Sequence, residues 1–151
     1  MILYRQGNIF DSKAHCLVNP VNCIGVMGGG LALQFKHHYP VMFGMYAKLC
    51  AEQQLDIGKI AFWHPPEIYN NTSQIICLFP TKYHWRNPST VEIVEAGLRA
   101  YIEYAVTIPI TSVAFPQLGC GLGGLDFKMQ VEPLMIKYLG ALPYPVEIYV
   151  P

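Results

Sequence analysis

Charge is scarce in this chain. Only 13% of its 151 residues are Asp, Glu, Lys or Arg, and ten bases against ten acids leave a formal net charge of zero. That removes a global electrostatic attraction for nucleic acid, so any such contact has to be local. Cysteine pairing is missing too. Cys16, Cys23, Cys50, Cys77 and Cys120 are odd in number and include no CxxC, which speaks against a disulfide framework and a zinc ribbon. Their mostly apolar surroundings fit reduced core thiols. No apolar run reaches the roughly 18 residues of a membrane span, and no basic-then-apolar leader opens the chain, so the expected location is the cytoplasm, away from membranes.

Other absences narrow the chemistry. There is no low-complexity segment, repeat or linker-like stretch, and a hydrophobic content of 52% argues against disorder. At 17.0 kDa the expectation is a single domain over residues 1–151, burying roughly 70% of the surface of the unfolded chain. The glycine-rich stretch over residues 19–35 is neither a GxGxxG fingerprint nor a Walker loop, and no HExxH pair, Ser-His-Asp order or paired-carboxylate spacing stands out in the chain. His37 and His38 lie on a predicted helix before Pro40 without metal-ligand spacing, while His15 and His64 stand alone and read as structural; neither a metal nor a cofactor is expected.

What is present is alternation. Ile2 to Tyr4, Cys16 to Asn19, Ile60 to Trp63, Gln74 to Phe79, Ser112 to Phe115 and Val146 to Val150 read as strands, several of them apolar on both faces. Helices are predicted from about Gly29 to His38, across "VMFGMYAKLCAEQ", across "PSTVEIVEAGLRAYIEYAV" and from near Asp126. In the third, Ser89 and Glu92 have capping-box spacing, Val91, Val94, Leu98, Tyr101 and Ala105 share a face, and Glu95 and Arg99 pair at i,i+4. Pro133 either kinks the fourth or delays its regular part. Strands alternating with helices give an α/β domain, layered α/β/α around a sheet.

Two glycine-rich loops follow strands: "NPVNCIGVMGGGLALQF", with Gly28, Gly29 and Gly30, and "PQLGCGLGGLDF", with Gly119, Gly121, Gly123 and Gly124. Glycines let backbone N–H groups approach a ligand, and a helix start favours an anion, so the pair could cradle a diphosphate without basic side chains. Taken singly, each is equally a flexible strand-to-helix turn. Asn8 follows the first strand as a turn or cap residue, while Asn19 and Asn22 suit either sugar hydroxyls or loop backbone. In "CLFPTKYHWRNP" an apolar strand gives way to Thr81, Lys82, Tyr83, His84, Trp85 and Arg86, more aromatic surface than a solvated turn needs. With acids scarce near the glycine loops, Lys82 is the most chemically useful side chain there.

Together "GNIF", "NPVNCIGVMGGGLALQFK", "FPTKYHWR" and "PQLGCGLGGLDF" resemble a macro domain, the ADP-ribose-binding α/β/α fold with a central mixed sheet, across essentially the whole chain. The Pro-Thr-Lys-x-His-Trp segment and "GCGLGGLD" are most similar to the DarG-type branch. In that branch a macro domain acts as DNA ADP-ribosyl glycohydrolase and antitoxin to a thymidine-modifying transferase. The resemblance implies that Asn8, with Ile9, meets the adenine. Asn22 and the Gly28 to Gly30 run would face the distal ribose, and Asn19, Leu31 and Thr81 would also belong to the ADP-ribose site. Gly119, Cys120, Gly121, Leu122, Gly123 and Gly124 would wrap the diphosphate, and Lys82 would be catalytic.

Tyr83, His84, Trp85 and Arg86 would contact the nucleic acid; the alternative packs Trp85 in the core and leaves Arg86 solvated. Two positions depart from the family. Asn8 stands where an aspartate usually accepts from the adenine amino group. Gly123 stands where the lysine-dependent protein glycohydrolase has an aspartate; the DarG-type pattern also has glycine there.

The implied reaction is hydrolysis at the anomeric carbon of the distal ribose, releasing ADP-ribose from thymine in single-stranded DNA. A free lysine, of pKa about 10.4, is an ammonium at neutral pH, which favours an acid or electrostatic role over a nucleophilic one. Rival readings are a non-catalytic ADP-ribose reader, a protein ADP-ribosyl glycohydrolase and an ADP-ribose 1″-phosphate phosphatase. The implied partners are ADP-ribosylated DNA and a cognate ADP-ribosyltransferase toxin, with the chain itself a monomer. DarG-type antitoxins carry a further C-terminal domain, and the sequence leaves open whether this chain is an excised domain or a stand-alone enzyme.

Overall fold

The structure, a computed structural model, describes residues 1–66 and 74–151. Its strands are β1 (Ile2–Gln6), β2 (Cys16–Val21), β3 (Ala61–Trp63), β4 (Ile75–Pro80), β5 (Val113–Phe115) and β6 (Val146–Val150). Its α-helices are α1 (Gly30–His38), α2 (Pro40–Ala51), α3 (Val91–Ala105) and α4 (Glu132–Leu139). The sheet order is β1-β6-β5-β2-β4-β3. All neighbours are parallel except β3, which runs antiparallel to β4 at the edge. This is the mixed central sheet and layered fold expected from the sequence. Among the described residues no helix is long and apolar enough to cross a membrane.

Period-two alternation makes the layers. Along β2, Cys16 and Val18 enter one apolar cluster and Leu17 and Val21 the other; along β4, Ile75, Cys77 and Phe79 separate from Ile76 and Leu78 in the same way. The first cluster is closed by Val94, Leu98 and Tyr101 of α3 and by Met135 and Leu139 of α4. The second is closed by Phe35 of α1 and by Met42, Tyr46 and Cys50 of α2. Both faces of β2 and β4 are therefore dry, which is why these strands read as continuous apolar runs.

One helix start differs from the sequence reading, and another follows it. Ser89 does not cap α3. Thr90 does, its hydroxyl accepting from Ile93 N–H at 3.2 Å. Ser89 is instead held one step earlier, its own N–H donating to the carbonyl of Gly123 at 3.0 Å and its hydroxyl buried without a partner. The fourth helix does begin near Asp126, whose carboxylate accepts from Met129 N–H at 2.7 Å, but its first turn is a wider π turn over Phe127–Val131. That turn delays the α-helix until Glu132, so Pro133 falls in a first turn, where its missing N–H is no loss.

Replacing the two hydroxyls separates their roles. Thr90→Ala should lower unfolding free energy by about 1 kcal/mol through loss of the cap. Ser89→Ala, which removes an unsatisfied buried group, should leave stability unchanged or raise it. Urea denaturation of both variants checks this, and the reverse ranking would restore Ser89 as the cap.

Candidate functional site

Five parallel strands end on one side of the sheet, and the loops leaving them enclose a cleft of about 1140 Å³. β2 pairs with β5 only at Cys16 and Leu17, so the two strands part before Pro20, and the cleft opens where they part. Such a split, beyond the carboxyl ends of parallel strands, is where α/β sheets bind ligands. From β1 to β4 the cleft crosses four strand spacings, about 19 Å. Gly7, Asn8 and Ile9 lie at one end and Thr81, Lys82 and Trp85 at the other.

One wall is the loop from β2 to α1. Asn22 holds it together: its Nδ2 donates to Val26 O at 2.7 Å, while its Oδ1 accepts from Ile24 N–H at 3.1 Å and from the Tyr46 hydroxyl at 2.6 Å. Burial pushes the Tyr46 phenol far above its ordinary range, so it remains a neutral donor. Asn22 thus lines the cleft, but its amide is committed to loop backbone, the other of its two sequence readings. Gly28, Gly29, Gly30 and Leu31 line the same wall, with Gly30 at φ +57° opening α1.

Asn19 is a correction: it does not line the cleft. The two-residue period turns it with Leu17 and Val21 toward the helices, where it is fully buried with Nδ2 3.9 Å from the sulfurs of Met27 and Met42.

The second wall is the loop after β5. Gly119 takes φ +72°, and Cys120, Leu125 and Gly124 close turns onto Gln117, Gly119 and Gly121 carbonyls. Among the described residues, the N–H groups of Gly121, Leu122 and Gly123 meet no acceptor, as expected of an anion cradle. Leu122, 75% exposed, reaches across to α1, where a Cβ on Gly30 would meet its Cδ1 at 3.3 Å. Gly124 closes the loop at φ +83° and lies outside the cleft lining. Cys120 lines it, but burial and the nearby Asp126 raise its thiol to about 11. It is therefore a poor nucleophile at neutral pH.

Gly123 shows why no acid stands there. A Cβ would collide with Ser89 Oγ and sit 2.5 Å from the carbonyl of Gly119, so the loop excludes any side chain at this position.

The third component follows β4. Thr81 N–H donates to Val21 O at 2.9 Å, Cys23 N–H to Tyr83 O at 2.8 Å, and Cys23 Sγ to Lys82 O at 3.6 Å, which stitches this segment to the first wall. Lys82 is half-buried, and its Nζ donates to the Trp85 carbonyl at 3.3 Å. Among the described residues lining the cleft, Lys82 has the one charged side chain. Trp85 is 47% exposed and lines the cleft, with the Arg86 guanidinium 4.7 Å above its ring and His84 at 5.4 Å. It is therefore not a core residue. Tyr83, His84 and Arg86 are outside the lining but flank Trp85 on the surface.

Several lining residues were not singled out from sequence. Gly7, Val26, Gln34 and Gln117 were within quoted motifs, while Tyr149 carries no motif signal. Strand ends in a parallel sheet were the clue for Tyr149. Among the described residues no three His, Cys, Asp or Glu side chains gather as a metal ion would require.

Comparison with protein-family models matches residues 18–134 to the macro domain. The chain belongs to the macro domain family. This macro domain is 42% identical over 143 residues to the DNA ADP-ribosyl glycohydrolase of Mycobacterium tuberculosis, covering 95% of this chain and 40% of that protein. It is also similar to the macrodomain of Thermus aquaticus DarG, with a TM-score of 0.92 at 38% identity over 100% of this chain and 99% of that one. Thermosipho africanus DarTG in complex with ADP-ribose matches with a TM-score of 0.90 and 38% identity, over 96% of this chain and 40% of that chain. The DarG-type resemblance read from the sequence is borne out. The macro domain spans about two fifths of the length of these curated relatives.

Because Gly123 abuts both Ser89 and backbone, Gly123→Ala should lower stability by about 1–3 kcal/mol. Adding Ser89→Gly should recover part of that loss, since the Gly119 carbonyl still blocks the site. Denaturation of the single and double variants checks this; a neutral Gly123→Ala would contradict it.

Proposed function

We propose that this macro domain is an ADP-ribosyl glycohydrolase that removes ADP-ribose from modified nucleic acid, with thymidine in single-stranded DNA as the carrier. The observation that carries this reading is Lys82, among the described lining residues the one charged side chain, at one end of a cleft whose middle is lined by glycine backbone. The names of relatives support it, since three that are 38–42% identical are called DNA ADP-ribosyl glycohydrolase.

In this reading the unpartnered amides of Gly121 to Gly123 and the start of α1 hold the diphosphate, and Asn8 and Ile9 meet the base. The distal ribose lies by the Asn22 loop with its anomeric carbon toward Lys82. The glycosidic bond breaks with its electron pair passing to the thymine ring. The Lys82 ammonium stabilises that developing charge or delivers a proton to the departing base, and water adds to the anomeric carbon and gives up a proton. The tether from Nζ to the Trp85 carbonyl fixes where the charge sits. A lysine-then-carboxylate sequence has no acid at position 123 to use, because that position admits no side chain.

Trp85, backed by Arg86 and His84, offers a stacking surface for bases beside the modified one, which suits a chain without surplus positive charge. Residues 1–151 act as one unit, as a cytoplasmic monomer whose physiological counterpart is an ADP-ribosyltransferase toxin.

Lys82→Ala should slow release of ADP-ribose from a modified single-stranded oligonucleotide by about 100-fold or more while still binding free ADP-ribose. A parallel assay on ADP-ribosylated protein separates the carriers. A fully active variant would remove Lys82 from the chemistry, and faster turnover of the protein substrate would remove DNA as the carrier.

A further inference from the structure

Lys82 is carried by a turn that is knitted to itself. Its Nζ donates to the Trp85 carbonyl at 3.3 Å, and Arg86 N–H donates to His84 Nδ1 at 3.1 Å. His84 N–H donates to Asn87 Oδ1 at 3.3 Å, and Asn87 N–H donates to the His84 carbonyl at 2.9 Å. These bonds make residues 82–87 one body, but none of them fixes where that body stands against the cleft. Thr81 N–H on the Val21 carbonyl holds its root, and Ser89 N–H on the Gly123 carbonyl holds its far end. Between those ends, among the described residues, both hydrogen bonds from outside the turn come from Cys23.

Cys23 holds two successive carbonyls. Its N–H donates to Tyr83 O at 2.8 Å and its Sγ to Lys82 O at 3.6 Å. The residue is buried and does not line the cleft, so it acts from behind the wall. Burial, with a smaller push from nearby Asp56 and Cys50, raises its thiol to about 12. At neutral pH the sulfur therefore keeps its proton and remains a donor. Its own place is set by the residue before it. Asn22 is fixed through its side chain by Val26, Ile24 and the Tyr46 hydroxyl, and Tyr46 is fully buried on α2. Hydrogen bonds thus run from α2 through Asn22 and Cys23 to the backbone of Lys82.

We propose that Cys23 is a positioning residue, whose thiol and N–H together set where the Lys82 ammonium stands at the end of the cleft. This rests on the reading of Lys82 as the group that assists departure of the base. An S–H···O bond is weak by itself. The reacting groups tolerate little error, however, since a displacement of about 1 Å can cost about 100-fold in rate. Any residue at position 23 keeps the backbone bond to Tyr83; only a side-chain donor keeps the one to Lys82.

The test is the kinetics of ADP-ribose release from the modified single-stranded oligonucleotide, with titration of free ADP-ribose alongside. Cys23→Ala should lower kcat by about fivefold to tenfold while KM and the affinity for ADP-ribose stay within about twofold. Cys23→Ser, which restores a donor, should recover most of that loss. In a Lys82→Ala background, read with enzyme in excess, Cys23→Ala should change the residual rate by less than about twofold, because no ammonium is left to place. The inference is overturned if Cys23→Ala keeps full kcat, if serine rescues nothing, or if the two substitutions multiply. Loss of ADP-ribose binding in step with kcat would also overturn it, by making the role of Cys23 merely structural. Full activity of Lys82→Ala defeats the reading of Lys82 and this inference with it. An impaired Lys82→Ala beside a fully active Cys23→Ala defeats this inference alone.

Discussion

Parallel strands deliver all their following loops to one side of a sheet, and in this molecule that constraint gathers residues from positions 7 to 151 around one cleft. β1, β6, β5, β2 and β4 all run the same way, so Asn8, the Asn22 loop, Lys82 and the Gly119 loop meet although more than a hundred residues separate the first from the last. The early parting of β2 from β5 turns that gathering into a cavity. The two apolar layers behind it keep the sheet dry on both faces, so the strand ends are held by packing and the loops are free to serve a ligand.

The scarcity of charge then has a structural meaning. Where many phosphate sites use arginine or lysine, this cleft offers amide groups freed by glycine, and among its described lining residues the one charged side chain stands apart at Lys82. Backbone donors have no rotamers to order and need no counter-charge. The arrangement requires close approach, and Ser89 against Gly119 and Gly123 shows how close: the hydroxyl lies buried without a partner where a side chain would otherwise stand. That packing ties the start of α3 to the glycine loop. The same stretch of chain that carries Lys82 therefore also fixes the opposite wall.

Much of this was legible in the sequence, because the signals were local. Apolar runs located the strands, and glycine clusters located both walls. The break at Pro80 marked where the chemistry begins. What was not legible depended on register or on competition for a hydrogen bond. Asn19 and Asn22 look alike in "NPVN", yet strand alternation buries the first among methionines, and the Tyr46 hydroxyl fixes the second. Ser89 has the spacing of a cap, but Gly123 takes its N–H and Thr90 takes the role.

The central claim is that the two glycine walls grip one anion from both sides through their amides. Backbone amide NMR during titration with ADP-ribose reports on this directly. The largest shifts should fall together on Gly28 to Leu31 and on Gly121 to Gly123, with the Lys82 segment moving in the same titration. Shifts confined to one wall, or centred away from the carboxyl ends of the strands, would contradict the claim.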